Sequence, residues 1–295
     1  MNSTPAYKIG VDGGGTQTEL ILIDEAGEIV SRHIAPGSNP NIIGPGSARA
    51  VMLDALGQLH RDSVSHTHLY MGGAPLFWRE FGASLTDFGE VSTFDDSRPV
   101  LELATGGQPG LVLHGGTGSF VSARAPDNSL HYGGGFGWRF GDPGSGYDLG
   151  ERAIAAAIPE LQGWANSSRL GQLVRDHTKL PNPDSHQVLQ FYYQTELPTR
   201  TIASLAPAVL HLAVEGDENA VKLVRESAQG LLDLAVSVAT KLFPDSPLDE
   251  VPTGLSGPIM THPAVTTTLI PRSPLPLIPI KESPIRGVYN ILTRL

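Results

Sequence analysis

The sequence predicts an α/β protein built from two lobes. The chain of 295 residues is too long for one small core. Apolar runs suited to strands alternate with segments whose apolar residues recur at helical spacing. A strand followed by consecutive glycines occurs twice, at 8–16 and at 111–119. This repetition indicates one architectural unit used twice, although the halves share little residue identity beyond the glycine turns.

The first half of the chain predicts an antiparallel meander followed by alternating helices and strands. Its first turn is the glycine-rich segment, and a polar loop at 36–41 follows the meander. The expected elements, in chain order, are strands at 7–11, 19–24 and 29–34, a helix at 46–60, a strand at 69–73 that ends in glycines, and a helix at 75–85.

The second half repeats the strand, glycine turn and hairpin before it becomes helical. The expected elements are strands at 110–113 and 119–125, helices at 151–158, 168–176 and 218–243, a proline-rich loop or extended edge at 271–284, and a short helix at 285–295. We therefore expect an N-terminal lobe over 1–107, a C-terminal lobe with a helical insertion over 108–283, and a closing helix over 284–295 that packs back on the N-terminal lobe.

Composition excludes several classes of function. The formal net charge of -10 disfavours a nucleic-acid partner, and a small substrate is expected instead. The absence of cysteine excludes disulfides, thiolate zinc sites, iron–sulfur clusters and cysteine nucleophiles. No segment has 18 or more consecutive apolar residues, so no membrane partner is expected. The polar segment 1–6 lacks the features of a signal peptide, which favours a cytoplasmic protein.

Both glycine turns have the chemistry of phosphate-binding loops. Glycine allows backbone N–H groups to approach an anion closely, and the hydroxyl groups of Thr16, Thr117 and Ser119 add donors. One such turn alone is weak support, since glycine also forms ordinary hairpins. Asp12 ends the first strand, and a carboxylate there suits a hydrated Mg²⁺, which keeps several waters and needs few carboxylates. The pair of turns and the acid together suggest a nucleotide held between two lobes.

A third segment, 133–150, has eight glycines in eighteen positions. A flexible linker has little to bury, whereas this segment also carries five large apolar residues: Phe136, Trp138, Phe140, Tyr147 and Leu149. We interpret it as an ordered surface loop whose backbone approaches a ligand closely.

These motifs resemble those of one known family. The matching segments are Asp12-Gly13-Gly14-Gly15-Thr16, Gly116-Thr117-Gly118-Ser119, Gly134-Gly135-Phe136-Gly137, Gly141-Asp142 and Gly144-Ser145-Gly146-Tyr147. In this order they resemble the N-acetylglucosamine kinases and the related BadF/BadG/BcrA/BcrD activator-type ATPases of the actin, hexokinase and heat-shock-chaperone ATPase superfamily. The resemblance implies two ribonuclease-H-like lobes with ATP and an amino sugar in the cleft between them.

The resemblance also implies roles for individual residues. Asp12 orients Mg²⁺ through water, while Gly13, Gly14, Gly15, Thr16, Gly116, Thr117 and Gly118 hold the phosphates. On the adenosine side the family's glycine pair appears as Ser256-Gly257, so Gly257 is carried over and Ser256 departs. The residues carried over to the sugar are Asn39, Gly135 and Asp142. Pro143 and Phe94 also depart from the family pattern.

The general base is expected at the end of a strand, where the sequence offers Asp95 and Asp96. Counting back from Thr117 favours Asp96, which would contact the sugar and accept the proton of its 6-hydroxyl. Asp95, Asp96 and Ser97 also suit the N-cap of a following helix.

The sequence thus predicts an ATP-dependent amino-sugar kinase acting at the 6-hydroxyl of glucosamine or N-acetylglucosamine. A catalytically weak sugar or nucleotide sensor of the same fold is the alternative. The activator-type ATPases need cysteines for an iron–sulfur cluster, which this chain lacks. Family analogy adds a homodimer.

Overall fold

The computed structural model describes residues 6–295, and most of the polar N-terminal segment lies outside this range. The described strands are β1 (Tyr7–Gly13), β2 (Gln17–Ile23), β3 (Ile29–Pro36), β4 (Val64–Met71), β5 (Glu90–Asp95), β6 (Gly110–Gly115), β7 (Ser119–Arg124), β8 (Leu130–Gly134), β9 (Thr253–Ser256) and β10 (Leu277–Pro279).

The described α-helices are α1 (Pro40–Ile43), α2 (Pro45–Leu59), α3 (Pro75–Ala83), α4 (Ser97–Thr105), α5 (Gly146–Leu161), α6 (Arg169–His177), α7 (Ser185–Gln194), α8 (Pro198–Ala203), α9 (Ala206–Val214), α10 (Glu218–Leu242), α11 (Gly257–Met260), α12 (Pro263–Leu269) and α13 (Pro284–Leu292). No helix in the described part of the chain is both long and apolar enough to span a membrane.

The chain forms two compact units, one of residues 6–107 with 282–295 and one of residues 108–281. The second unit therefore ends two residues before the expected position 283. Each unit contains a five-stranded sheet.

The sheet of the first unit has the order β3-β2-β1-β4-β5. β1, β2 and β3 form the predicted antiparallel meander, while β4 and β5 continue the sheet in parallel to β1. Because β1, β4 and β5 are parallel, their carboxyl ends meet at one edge of the sheet.

Alternating side chains of these strands build two apolar layers. Ile9 and Leu20 face a core completed by α2 and α3, whereas Ile21 and Ile23 face α13. Gly10 of β1 permits the close approach of α13, because a Cβ there would lie 2.4 Å from Val288 Cγ1. The C-terminal helix therefore covers one face of the first sheet.

The sheet of the second unit has the order β8-β7-β6-β9-β10, which repeats the order of the first. β6, β7 and β8 are antiparallel, while β9 and β10 are parallel to β6. The duplication inferred from the two glycine turns is therefore confirmed in the topology. The proline-rich segment supplies β10 at the edge, where Pro279 requires no ladder hydrogen bond.

The helices of the second unit show where the sequence pattern was incomplete. The long helix α10 has nearly the predicted bounds, but α5 begins at Gly146, five residues before the expected start at 151. Its first turn is rich in glycine, which hides the helical periodicity, and Ser145 marks the start because its Oγ accepts a hydrogen bond from Asp148 N at 3.0 Å. Short helices such as α7 and α9 were not predicted.

An ion pair joins Arg294, two residues after α13, to the buried Glu102 of α4. Arg294 Nη2 lies 2.6 Å from Glu102 Oε2, and the Glu102 side chain is only 2% exposed. A buried carboxylate is costly without a partner, so this pair ties the C-terminal segment to α4 within the first unit.

We predict that Arg294→Ala lowers the free energy of unfolding of the first unit by about 1–3 kcal/mol, since Glu102 loses its charged partner while Arg294 itself is half-exposed. Chemical denaturation followed by circular dichroism measures the change. Arg79→Ala, an exposed arginine of α3, is the matched control and should change stability by less than about 0.5 kcal/mol. Equal losses in both variants would contradict this account of the ion pair.

Candidate active site

The first glycine turn, 13–16, joins β1 to β2 and is fastened to the loop that follows β3. Gly37 N donates to Thr16 O and Ser38 N donates to Gly14 O, both at 3.1 Å. The buried hydroxyl of Thr18 donates to Ser38 Oγ at 2.8 Å. Gly37 must lack a side chain, because a Cβ there would lie 2.3 Å from Gly15 O. The turn and the residues before Asn39 therefore form one fixed piece of backbone.

The glycine pair after β4 makes room for the side chains of Asp96 and Asn39, one against each glycine. A Cβ on Gly72 would lie 2.6 Å from Asp96 Oδ2, and a Cβ on Gly73 would lie 2.6 Å from Asn39 Oδ1. The backbone φ of Gly73 is +68°, which also favours glycine. Gly72 N donates to Gly13 O at 2.9 Å and so holds the pair against the first glycine turn.

The two candidate bases occupy different environments. Asp95 is exposed, and its Oδ1 accepts a hydrogen bond from Ser97 N at 2.8 Å at the start of α4. Asp96 is partly buried, holds the N-cap position without a side-chain capping bond, and lies over Gly72. The capping function expected of this trio thus belongs to Asp95, while the carboxylate of Asp96 faces the carboxyl edge of the sheet.

Burial and mutual repulsion perturb two carboxyl groups at this edge. The pKa of Asp12 is raised to about 7, mainly by burial and then by the charges of Asp96 and Glu19. The pKa of Asp96 is also raised to about 7, by burial and by the charge of Asp95. Both shifts arise because ionised carboxylates are poorly solvated and repel one another here.

The donor chemistry of Asp12 fits a hydrated magnesium ion. Among the described residues, no group of three or more His, Asp or Glu side chains has the arrangement of a metal site. Mg²⁺ needs no such cage, since it keeps most of its waters and uses one or two carboxylates. Burial is the main cause of the raised pKa of Asp12, and the charges of Asp96 and Glu19, which raise it further, would favour a divalent cation beside it.

The second glycine turn, 116–119, joins β6 to β7 and is fastened by the N-terminus of α5. Gly146 N donates to Gly116 O at 2.7 Å, and Tyr147 N donates to Thr117 O at 3.2 Å. These donors belong to the first turn of the helix, where backbone N–H groups have no intrahelical partner. The end of the glycine-rich segment 133–150 therefore supports the second glycine turn through its backbone.

Asp142 lies directly over the second glycine turn. A Cβ on Gly118 would lie 2.9 Å from Asp142 Oδ2. Asp142 is only 7% exposed, and its Oδ1 has no hydrogen-bond partner within the described chain. Burial raises the pKa of this carboxyl group. A buried, unsatisfied carboxylate oxygen suits a ligand that donates a hydrogen bond.

Two further predicted residues have glycine-specific backbones in the second unit. Gly257 has a φ of +83°, and a Cβ there would lie 2.4 Å from Gly115 O, so the backbone at Gly257 packs directly on the last residue of β6. Gly135 has a φ of +68°, and a Cβ there would lie 2.5 Å from the ring of Tyr132.

The predicted site residues fall into two groups, one in each unit. The first unit holds Asp12, Gly13, Gly14, Gly15, Thr16, Asn39 and Asp96, and the second holds Gly116, Thr117, Gly118, Gly135, Asp142 and Gly257. Sequence reasoning missed the roles of Ser38 and of Gly72-Gly73. The signal was present for the glycines, since they end a predicted strand, but their partners are set by tertiary contacts.

Comparison with known proteins identifies the family. The model of the BadF/BadG/BcrA/BcrD ATPase family matches residues 9–269. The chain belongs to this family. The match includes both glycine turns, the segment 133–150 and Gly257, so the family resemblance inferred from these motifs is confirmed.

Proteins similar in sequence to this chain include several named as sugar kinases. The N-acetylmuramic acid/N-acetylglucosamine kinase of Clostridium acetobutylicum is 25% identical over 236 residues, which is 76% of each chain. The glucosamine kinase of Vibrio cholerae is 26% identical over 232 residues, covering 75% of this chain and 76% of the relative. A solved structure from Chromobacterium violaceum, provisionally named an N-acetylglucosamine kinase, has a TM-score of 0.79 at 27% identity and covers 97% of this chain and 98% of that one.

We predict that Asp96→Asn stabilises this ATPase-family protein at pH 8. Because the folded pKa values of about 7 exceed the ordinary value of 3.8, the folded state keeps protons that the unfolded state releases, so stability falls as pH rises from about 4 to about 7. The Asp96→Asn substitution removes the loss of stability caused by Asp96 and reduces the loss caused by Asp12, whose pKa the charge of Asp96 helps to raise. Thermal unfolding in EDTA should show a Tm about 2–4 °C above wild type at pH 8, with the difference vanishing near pH 4. A lower Tm at pH 8 would contradict the assignment.

Proposed function

We propose that the protein transfers the γ-phosphoryl group of ATP to the 6-hydroxyl of an amino sugar, either glucosamine or N-acetylglucosamine. Membership of an ATPase family and relatives named for both sugars support this activity. The observation that carries the proposal is the placement of Asp96 against Gly72 and of Asn39 against Gly73, with Asp96 close enough to Asp12 for its charge to raise the pKa of Asp12. A carboxylate, an amide and a phosphate-binding turn are the groups that a sugar kinase needs.

Asp96 is the proposed general base. Its carboxylate is not used to cap α4, since Asp95 fills that role. A pKa of about 7 allows Asp96 to accept a proton from the attacking hydroxyl near neutral pH. Asn39 lies against the neighbouring Gly73, and its Oδ1 accepts from Asn41 N at 2.9 Å, which leaves the Nδ2 donors for sugar hydroxyls.

The remaining predicted residues take complementary roles. Asp12 holds water molecules of the magnesium shell, and bound Mg²⁺ would neutralise charge on the transferred phosphoryl group. Backbone N–H groups of both glycine turns bind phosphate oxygens, except those of Gly14 and Gly116, which donate to Gln17 O and Gly118 O. Gly257 admits the nucleotide. Gly135 and Asp142 bind the sugar. Phe94 is one of the residues that depart from the family pattern. Its ring stacks on Tyr70 with centroids 5.1 Å apart, so its side chain packs in the core and is not part of the surroundings of the Asp96 carboxylate.

The proposal extends to a cytoplasmic homodimer without nucleic-acid or membrane partners. The net charge of -10 supports the lack of a nucleic-acid partner, while the dimer rests on family analogy. An iron–sulfur activator function is not proposed, because the chain contains no cysteine.

The central test is ADP release with Mg²⁺ and ATP in the presence of glucosamine, N-acetylglucosamine, glucose or no sugar. We expect turnover to depend on an amino sugar and Asp96→Asn to lower kcat by about 10²–10⁴ through loss of the base. Asp95→Asn is the matched control, since asparagine still caps Ser97, and its kcat should stay within about threefold of wild type.

Equal losses in the Asp95 and Asp96 variants would remove the base assignment. Amino-sugar binding by calorimetry without any sugar-dependent ADP release would instead identify a sensor of the same fold.

A second prediction concerns Gly72. Gly72→Ala places a methyl group 2.6 Å from the position of Asp96 Oδ2 and so displaces the carboxylate, which should lower kcat by about 10- to 100-fold. Gly57→Ala is the control, because nothing lies within 4 Å of a Cβ there and the site is exposed on α2. That variant should keep its kcat and gain a little stability. An unchanged kcat in Gly72→Ala would show that Asp96 need not occupy this position.

A further inference from the structure

His114 and Ser256 occupy equivalent positions on neighbouring parallel strands of the second unit. They are register partners of β6 and β9, and each is followed directly by a glycine, Gly115 after His114 and Gly257 after Ser256. Ligands of open α/β sheets bind beyond the carboxyl ends of parallel strands. The pair therefore stands at the point where two nucleotide-side turns leave the sheet.

The imidazole of His114 fills the corner between these turns. Its Nδ1 lies 3.2 Å from Ser256 Oγ, and its ring stacks on Phe120 with centroids 4.8 Å apart. A Cβ on Gly257 would lie 3.0 Å from His114 Cε1, and a Cβ on Gly116 would lie 3.3 Å from His114 Nε2. One edge of the ring thus contacts both glycine turns.

The pair supports these turns without adding charge. Burial lowers the pKa of His114 to about 4, so the imidazole is neutral at pH 7 and does not attract phosphate as a cation would. What the ring provides is shape and one hydrogen bond to Ser256. The serine that replaces the first glycine of the family's pair therefore has a specific partner in this chain.

We propose that His114 and Ser256 are positioning residues for the nucleotide. They form a hydrogen-bonded pair that fixes the spacing between the second glycine turn, 116–119, and the turn at Gly257. The inference rests on the proposed binding of ATP by these turns. Because the pair acts on the shape of both turns, its loss should weaken ADP and ATP equally, raise the KM for ATP, and leave kcat at saturating ATP within about twofold.

Isothermal titration calorimetry with ADP and with a non-hydrolysable ATP analogue, on the intact protein without sugar, tests this inference. The variants are Ser256→Ala, His114→Leu and their combination. We expect each single change to weaken both nucleotides by about 3- to 10-fold, the effect of one lost hydrogen bond. The double variant should bind within about twofold of the weaker single variant, because residues acting as a pair are not additive.

Ser227→Ala is the matched control, since Ser227 is a buried serine of α10 whose Oγ has no partner within the described chain. Ser256→Ala binding ADP as tightly as Ser227→Ala would overturn the inference. So would a larger loss for the ATP analogue than for ADP, which would make His114 a direct contact of the terminal phosphate. Tm values confirm that each variant is folded, and if His114→Leu unfolds, Ser256→Ala alone decides. A wild-type protein that binds neither nucleotide would contradict the proposed function itself.

Discussion

The structure of the first unit depends on holding Asp12 and Asp96 close together in a poorly hydrated position. Burial and repulsion raise the pKa of both to about 7, which means that the folded protein bears a cost for keeping them ionised. Gly72 provides the space that the Asp96 carboxylate occupies, since a Cβ there would lie 2.6 Å from Oδ2. Such opposition between stability and site chemistry is typical of active sites.

The second unit meets a different demand with the same sheet topology. Its glycine turn is supported from outside by the first N–H groups of α5, so the helix N-terminus is used for structure. The carboxylate of Asp142 lies against Gly118 of this turn, and the imidazole of His114 lies against Gly116. One architecture thus provides an acidic edge in one unit and a neutral, glycine-lined corner in the other.

The sequence predicted the features that depend on local pattern. Strand alternation and consecutive glycines located the first meander and the β6–β7 hairpin of the second, but not β8, and their repetition located the duplication. Local pattern did not locate the start of α5, because glycines that are required for close backbone contacts have low helix propensity. Local pattern did not separate Asp95 from Asp96, and only the count back from Thr117 favoured Asp96. Adjacent residues at a strand–helix junction differ in the direction of their side chains, and Asp96 contacts Gly72, which follows the neighbouring strand β4 of the sheet.

The position of α13 affects how the protein can be synthesised. Ile21, Ile23 and Tyr70 belong to the start of the chain, yet their layer is completed by Val288 and Leu292, which follow the whole of the second unit in sequence. During translation this face of the first sheet stays uncovered until residue 292 has emerged from the ribosome. The first unit of a nascent chain therefore keeps this apolar surface exposed while about 180 further residues are synthesised, at a rate of about 5–20 residues per second. During this interval the exposed apolar face of the first sheet is a binding surface for chaperones.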